Sequence, residues 1–110
     1  MRFLFLDDKA ERHRAFARRS QPHEVVSVSD PLTAIGILQA DGGRFDVAFL
    51  DRDLGHVLTG EAVATAMAKL PADKRPRRVV VHSQNKLGGD RMEHTLRSAG
   101  YHVVRAPFVV

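Results

Sequence analysis

The 110-residue chain contains no cysteine. Disulfides and thiolate metal sites are thereby excluded, and the composition fits a reducing compartment. No apolar run approaches the ~20 residues that span a bilayer. The short apolar start, Arg2 to Leu6, is followed at once by Asp7 and Asp8. A secretory signal needs a longer apolar stretch and a small-residue cleavage site. The chain therefore reads as a cytoplasmic protein with no membrane segment. Internal repeats, linkers and low-complexity stretches are also missing, and the length suits one domain, residues 1–110.

What is present is 44% hydrophobic and 27% charged, with a net charge of +4. That balance suits a phosphate-bearing partner, although many small soluble proteins are equally basic. Apolar runs alternate with helical spacing. Arg2 to Leu6 reads as a strand, and Ala10 to Arg19 as a helix that buries Ala10, Phe16 and Ala17. Glu24 to Val28 is a second strand. Ser29-Asp30-Pro31 then starts a helix with a side-chain cap and a proline in its first turn. Leu32, Ile35 and Leu38 keep its spacing, and Gly42-Gly43 ends it. Asp46 to Leu50 is a third strand, followed by a loop to Thr59. Thr59 caps a helix to about Leu70 with Ala62, Val63, Ala66 and Met67 on its apolar side. Pro71 to Pro76 is a turn and Arg78 to Val81 a fourth strand. A glycine-rich loop, His82 to Gly89, leads to a helix from about Asp90 to Ala99. His102 to Arg105 is the fifth strand.

Alternating strands and helices predict an α/β three-layer sandwich around a parallel sheet. Right-handed crossovers make 2-1-3-4-5 the expected strand order, with a ligand crevice at the carboxyl ends of strands 1 and 3. Strand 1 ends at Asp7-Asp8 and strand 3 at Asp51, so three carboxylates converge there. Aspartate is common after strands, where it starts turns. Three together repel one another unless they bind a cation, hold a proton or stay hydrated. A hard divalent ion, Mg²⁺ or Mn²⁺, is the natural occupant of such an oxygen set.

Asp7-Asp8 after strand 1, Asp51 after strand 3 and Ser83 after strand 4 resemble the response-regulator receiver domain, a flavodoxin-like fold. That resemblance implies Mg²⁺ on the paired acids, Asp51 as a phosphoryl acceptor and Ser83 as its contact. Receivers carry Lys before Pro after strand 5, whereas this chain has Ala106-Pro107, with Arg105 as the nearest cation. Receivers also end in a fifth helix, for which a chain stopping at Val110 leaves no room. A bare sheet face near strands 4 and 5 then predicts a homodimer or another partner there, with Phe108, Val109 and Val110 in the contact. Closer still is the similarity of LFLDD with Arg12-His13, FLDRDLG with Gly60, and HSQN with Gly88 and Met92 to the cyclic-phosphate processing receiver-like domains. That family resemblance implies phosphoesterase-type processing of cyclic phosphates on RNA ends or nucleotides.

Opening a cyclic phosphodiester requires stabilised charge, an in-line nucleophile and a proton for the leaving alkoxide. The sequence offers Asp8, Asp51 and His82 as the catalytic set. Asp7, Asp8 and Asp51 are the metal ligands, and Asp53 supports them from the same loop. Arg12, Ser83, Asn85 and the Gly88 amide are the phosphate contacts. Asp51 reads equally as ligand or nucleophile. His82 also reads as a hydrogen-bonded strand-end histidine. His13 reads as structural, and His56 and His94 as incidental. The basic run Lys74-Arg75-Pro76-Arg77-Arg78 resembles a nucleic-acid patch, but its place before strand 4 puts it at the edge opposite the acids. Two non-enzymatic alternatives stand beside the hydrolase: a response-regulator-like receiver, and a module that binds a cyclic nucleotide without cutting it.

Overall fold

Short runs that are apolar on both sides form the centre of the computed structural model, which describes residues 1–107. The strands are β1 (Arg2–Leu6), β2 (Glu24–Val28), β3 (Val47–Leu50), β4 (Arg78–Val81) and β5 (Val103–Arg105). The helices are α1 (Ala10–Ser20), α2 (Pro31–Asp41), α3 (Gly60–Ala68) and α4 (Lys86–Ser98). All strand pairs are parallel, in the order β2-β1-β3-β4-β5. The expected architecture and switch point are therefore present. None of the described helices is long and apolar enough to cross a membrane.

Side-chain alternation divides the sheet into two faces. Leu4, Leu6, Ala48, Leu50, Val79, Val81 and Val103 point to the side where Ala34, Leu38, Val63, Met67, Met92 and Leu96 complete the main core. The other side is aromatic. Phe5 stacks on Phe16 of α1 with centroids 4.1 Å apart, and Phe49 meets Phe16 edge-on at 4.7 Å. Val80 and Val104 share that face on β4 and β5, and Val104 is 44% exposed. No described helix other than α1 lies there. Phe108, Val109 and Val110, expected at a contact on this face, lie outside the described residues.

Local expectations fail in instructive places. α1 buries Ala15, Phe16 and Ser20 rather than Ala10 and Ala17, because its inward side is fixed by packing on Phe5 and Phe49. Leu32 is 58% exposed. In α3, Ala64 is buried while Ala62 and Ala66 are only half covered. The largest shift is at α4, which begins at Lys86 instead of Asp90. Asn85 caps it through Oδ1, which accepts the Gly88 N–H at 2.8 Å. The glycines that resemble a loop are the first turn of the helix, and their missing side chains leave room for two arginines. A methyl on Gly88 would lie 2.5 Å from Arg52 Cδ, and one on Gly89 would lie 2.5 Å from Arg105 Nη2.

Half of the basic run is structural. Lys74 Nζ donates to the Ala40 carbonyl. Arg75 donates to the carbonyls of Leu70 at 2.8 Å, Ala99 at 2.6 Å and Ala68 at 3.2 Å. Its guanidinium lies 4.8 Å from the Tyr101 ring centroid. Arg77 and Arg78 are left exposed at the amino edge of the sheet.

Candidate functional site

Backbone pairing runs one residue past each strand and sets the site. The Asp7 N–H donates to Val28 O, Asp51 N–H to Leu6 O, His82 N–H to Leu50 O and Ala106 N–H to Val81 O. Asp7, Asp51, His82 and Ala106 thus stand in a row across the sheet. Alternation turns the first three toward the α1 face, where the first turns of α1 meet them.

Asp7 is fully buried. Its Oδ1 accepts the Lys9 N–H at 2.8 Å, and its Oδ2 accepts from Arg12 Nη1 at 3.3 Å. His13 bonds the Asp7 carbonyl through Nε2 at 2.7 Å, so the histidine read as structural does support the chain here. Asp51 is 4% exposed. Its Oδ1 accepts the Arg52 N–H at 2.8 Å, and its Oδ2 lies 3.8 Å from Arg12 Nη1. Burial and then the Asp7 charge push the Asp51 carboxyl up to about 6, against the Arg52 N–H and Arg12, which lower it. Asp8 is half-buried. Gly55, at φ 59°, brings the β3–α3 loop beside it, so that an added methyl would lie 3.6 Å from Asp8 Oδ2.

One ligating oxygen from each of Asp7, Asp8 and Asp51 lies within 4.8 Å of the other two. Opposite ligands of an octahedral Mg²⁺ are about 4.2 Å apart. An all-oxygen set at this spacing fits a hard divalent ion after a small contraction. The pocket in front of the acids is lined by Asp8, Lys9, Arg12, Asp51, Asp53 and Gln84 and has a volume of about 160 Å³. That space is large enough for a phosphate-sized group with some water.

Several expected roles change. His82 is 2% exposed and does not line the pocket. It stacks on Phe5 with centroids 5.2 Å apart. Nε2 meets the Leu6 carbonyl at 3.2 Å, and Nδ1 faces Asp7 Oδ2 at 3.7 Å. Burial lowers its basicity. Both ring nitrogens thus face protein, and the proton-carrying role expected of it has no direct path to the pocket in this arrangement. Ser83 is buried, and its Oγ accepts the Asn85 N–H at 3.1 Å. The Gly88 amide is no open anion contact, since it is held by Asn85 Oδ1, and the same bond engages the Asn85 carbonyl oxygen. Arg105 does not substitute for the lysine of receivers: it turns to Asp90 at 2.7 Å and Glu93 at 3.6 Å on α4. Asp53 stays at the pocket but pairs with Arg52 at 2.8 Å.

Sequence reasoning missed two pocket residues, Lys9 and Gln84. Both lie next to singled-out residues, yet neither belongs to a strand-end acid pattern. It also missed the Glu61 carboxylate, held by Arg52 Nε at 2.7 Å and Arg91 Nε at 2.8 Å. Those two partners drive its pKa down to about 2, Arg91 foremost. This network ties the residue after Asp51 to α4.

Comparisons with known proteins agree with this geometry. A family model described as the cyclic-phosphate processing receiver domain matches residues 2–98. The fold is similar to a CheY-like response-regulator receiver domain from Methylobacillus flagellatus, with a TM-score of 0.71 and 17% identity over 99% of this chain and 88% of that one. It is similar to the receiver domain of sensor histidine kinase PA1611 from Pseudomonas aeruginosa, which has magnesium coordinated in its active-site cleft. The TM-score is 0.72 and the identity 22% over 98% of this chain and 86% of that one. The Mn²⁺-bound response regulator Rcp1 is also similar, with a TM-score of 0.72 and 22% identity over 96% and 79% of the two chains. Among curated proteins none matches.

Proposed function

This chain belongs to the family of cyclic-phosphate processing receiver domains, and from that premise we propose that its acidic pocket hydrolyses cyclic phosphates, at RNA ends or in cyclic nucleotides. The observation that carries the reading is a phosphate-sized pocket in which Asp8, Asp51, Lys9 and Arg12 converge. Asp7, Asp8 and Asp51 would hold Mg²⁺ or Mn²⁺, which supplies Lewis-acid stabilisation of phosphoryl oxygens. Arg12 and Lys9 bring positive charge to the same oxygens. Asp51 is the reactive carboxylate at the pocket floor, acting on water or on phosphorus, and Asp8 and Asp53 line its side. His82 positions Asp7 from behind. Ser83 and Asn85 shape the turn that presents Gln84. The leaving alkoxide takes its proton from Lys9 or solvent at the mouth.

A second reading, binding without turnover, is favoured by one observation: the buried His82 leaves the pocket without a histidine acid or base. The receiver reading is disfavoured by Arg105, which turns away from the acids. The deciding experiment incubates the protein with 2′,3′-cyclic nucleotides, RNA ending in a cyclic phosphate, and cyclic dinucleotides, with and without Mg²⁺ or Mn²⁺. Turnover that disappears in Asp51→Asn supports the hydrolase. Binding without turnover supports the sensor. Labelling by a small phosphodonor, absent in Asp51→Asn, supports the receiver. A homodimer or another partner over Val80 and Val104 accompanies this proposal, and light scattering tests the dimer.

A further inference from the structure

Arg12 stands where two ligands would compete for it. It comes from the first turns of α1, and its side chain is 17% exposed, so it is open to the pocket on one side. Its Nη1 lies between Asp7 Oδ2 at 3.3 Å and Asp51 Oδ2 at 3.8 Å. Both carboxylates belong to the trio whose oxygens converge within 4.8 Å. A guanidinium there neutralises part of a threefold negative charge. A divalent ion among the same oxygens would meet that guanidinium well inside a Debye length.

We propose that Arg12 couples cation binding to phosphate binding. With no divalent ion bound it is the counter-charge of Asp7 and Asp51. When a divalent ion takes those oxygens, repulsion releases the guanidinium to the pocket, where it binds the phosphoryl group through its planar fork. This rests on the cation-and-phosphate reading of the pocket and adds an order to it. Because coupling is reciprocal, phosphate must raise the affinity for the cation as much as the cation raises that for phosphate. The other arginines of this end are not placed to do this. Arg52 is held by Asp53 and Glu61, and Arg105 by Asp90 and Glu93. Arg14, exposed on the same helix, is the natural control.

The test is calorimetric titration with Mg²⁺, with and without inorganic phosphate, on wild type, Arg12→Gln, Arg12→Lys and Arg14→Ala, with circular dichroism checking each fold. Arg12→Gln is expected to bind Mg²⁺ about fivefold or more tightly without phosphate, and to lose most of the phosphate-dependent gain seen in wild type. Arg12→Lys keeps the charge and is expected to stay near wild type for Mg²⁺ alone. Arg14→Ala is expected to match wild type throughout. If Arg12→Gln proves unfolded without cation, Arg12→Lys carries the test through its weakened phosphate coupling, since an ammonium lacks the fork. Unchanged or weaker Mg²⁺ binding in a folded Arg12→Gln, or full coupling in Arg12→Lys, overturns the proposal while leaving the pocket reading intact. Absence of Mg²⁺ binding in wild type overturns both.

Discussion

His82 and Asp7 face one another beneath the pocket, with Nδ1 3.7 Å from Oδ2 and both side chains almost fully buried. The stack on Phe5 and the contact with Leu6 O fix the imidazole, and the imidazole closes the back of the Asp7 carboxylate. His82→Ala removes a buried ring and its hydrogen bond, and is expected to lower stability by about 2–4 kcal/mol in urea unfolding. The conservative His82→Gln separates positioning from proton transfer. It is expected to weaken cation binding while leaving the shape of a pH–rate profile unchanged. Loss of one limb of that profile would make His82 the proton carrier.

Asp51 holds a carboxylate where burial and Asp7 both disfavour charge. Asp51→Asn keeps an oxygen for the Arg52 N–H and removes the repulsion. The variant is expected to be more stable than wild type by about 1–3 kcal/mol near pH 8 without divalent cation. Added Mg²⁺ is expected to raise the thermal midpoint of wild type and not of the variant. Equal midpoints of the two apo proteins would show that the acidic cluster carries no strain.

Three glycines give a graded test of packing. Gly36 lies in α2 with nothing within 4 Å of an added methyl, so Gly36→Ala is expected to gain about 0.5–1 kcal/mol. At Gly88 a methyl meets the flexible Arg52 side chain, which has to leave Glu61. A loss of about 1–2 kcal/mol is expected there. At Gly60 the methyl would enter the Asp51 carbonyl, which belongs to the backbone and cannot step aside. Gly60→Ala is expected to lose about 3 kcal/mol or more and to disturb cation binding. Chemical denaturation ranks the three.

Glu61 links stability to acid. Its folded pKa of about 2 lies below the ordinary 4.5, through Arg91 and Arg52. The contribution is therefore fully present above pH 4.5 and is lost as pH falls toward 2. Glu61→Gln is expected to flatten the acid limb of a stability–pH curve in that window. An unchanged slope would mean that the Arg52–Glu61–Arg91 network is loose in solution.

The sheet order and the meeting of Asp7, Asp8 and Asp51 were legible because both follow from chirality and from strand ends, which local sequence marks well. The start of α4 was not. Gly88 and Gly89 have the composition of a loop, and only the side chains crossing them, Arg52 and Arg105, explain glycine inside a helix. The burial of His82 was equally hidden. A histidine after a strand looks the same whether it faces solvent or stacks on Phe5, and the choice is made by Phe5, Leu6 and Asp7 at the end of β1, two strands away. Lys74 and Arg75 read as a basic patch because sequence shows their charge and not the carbonyls that hold them.

Arg75 has a mechanical consequence. By gripping the carboxyl ends of α3 and α4 together, it is one of two braces on the pair, set at the amino edge of the sheet. The other brace lies at the opposite end, where Glu61 in the first turn of α3 pairs with Arg91 of α4. Held at both ends, the two helices carry the loops bearing Asp53 and Gln84 as the rails of a ladder do, not as two independent arms.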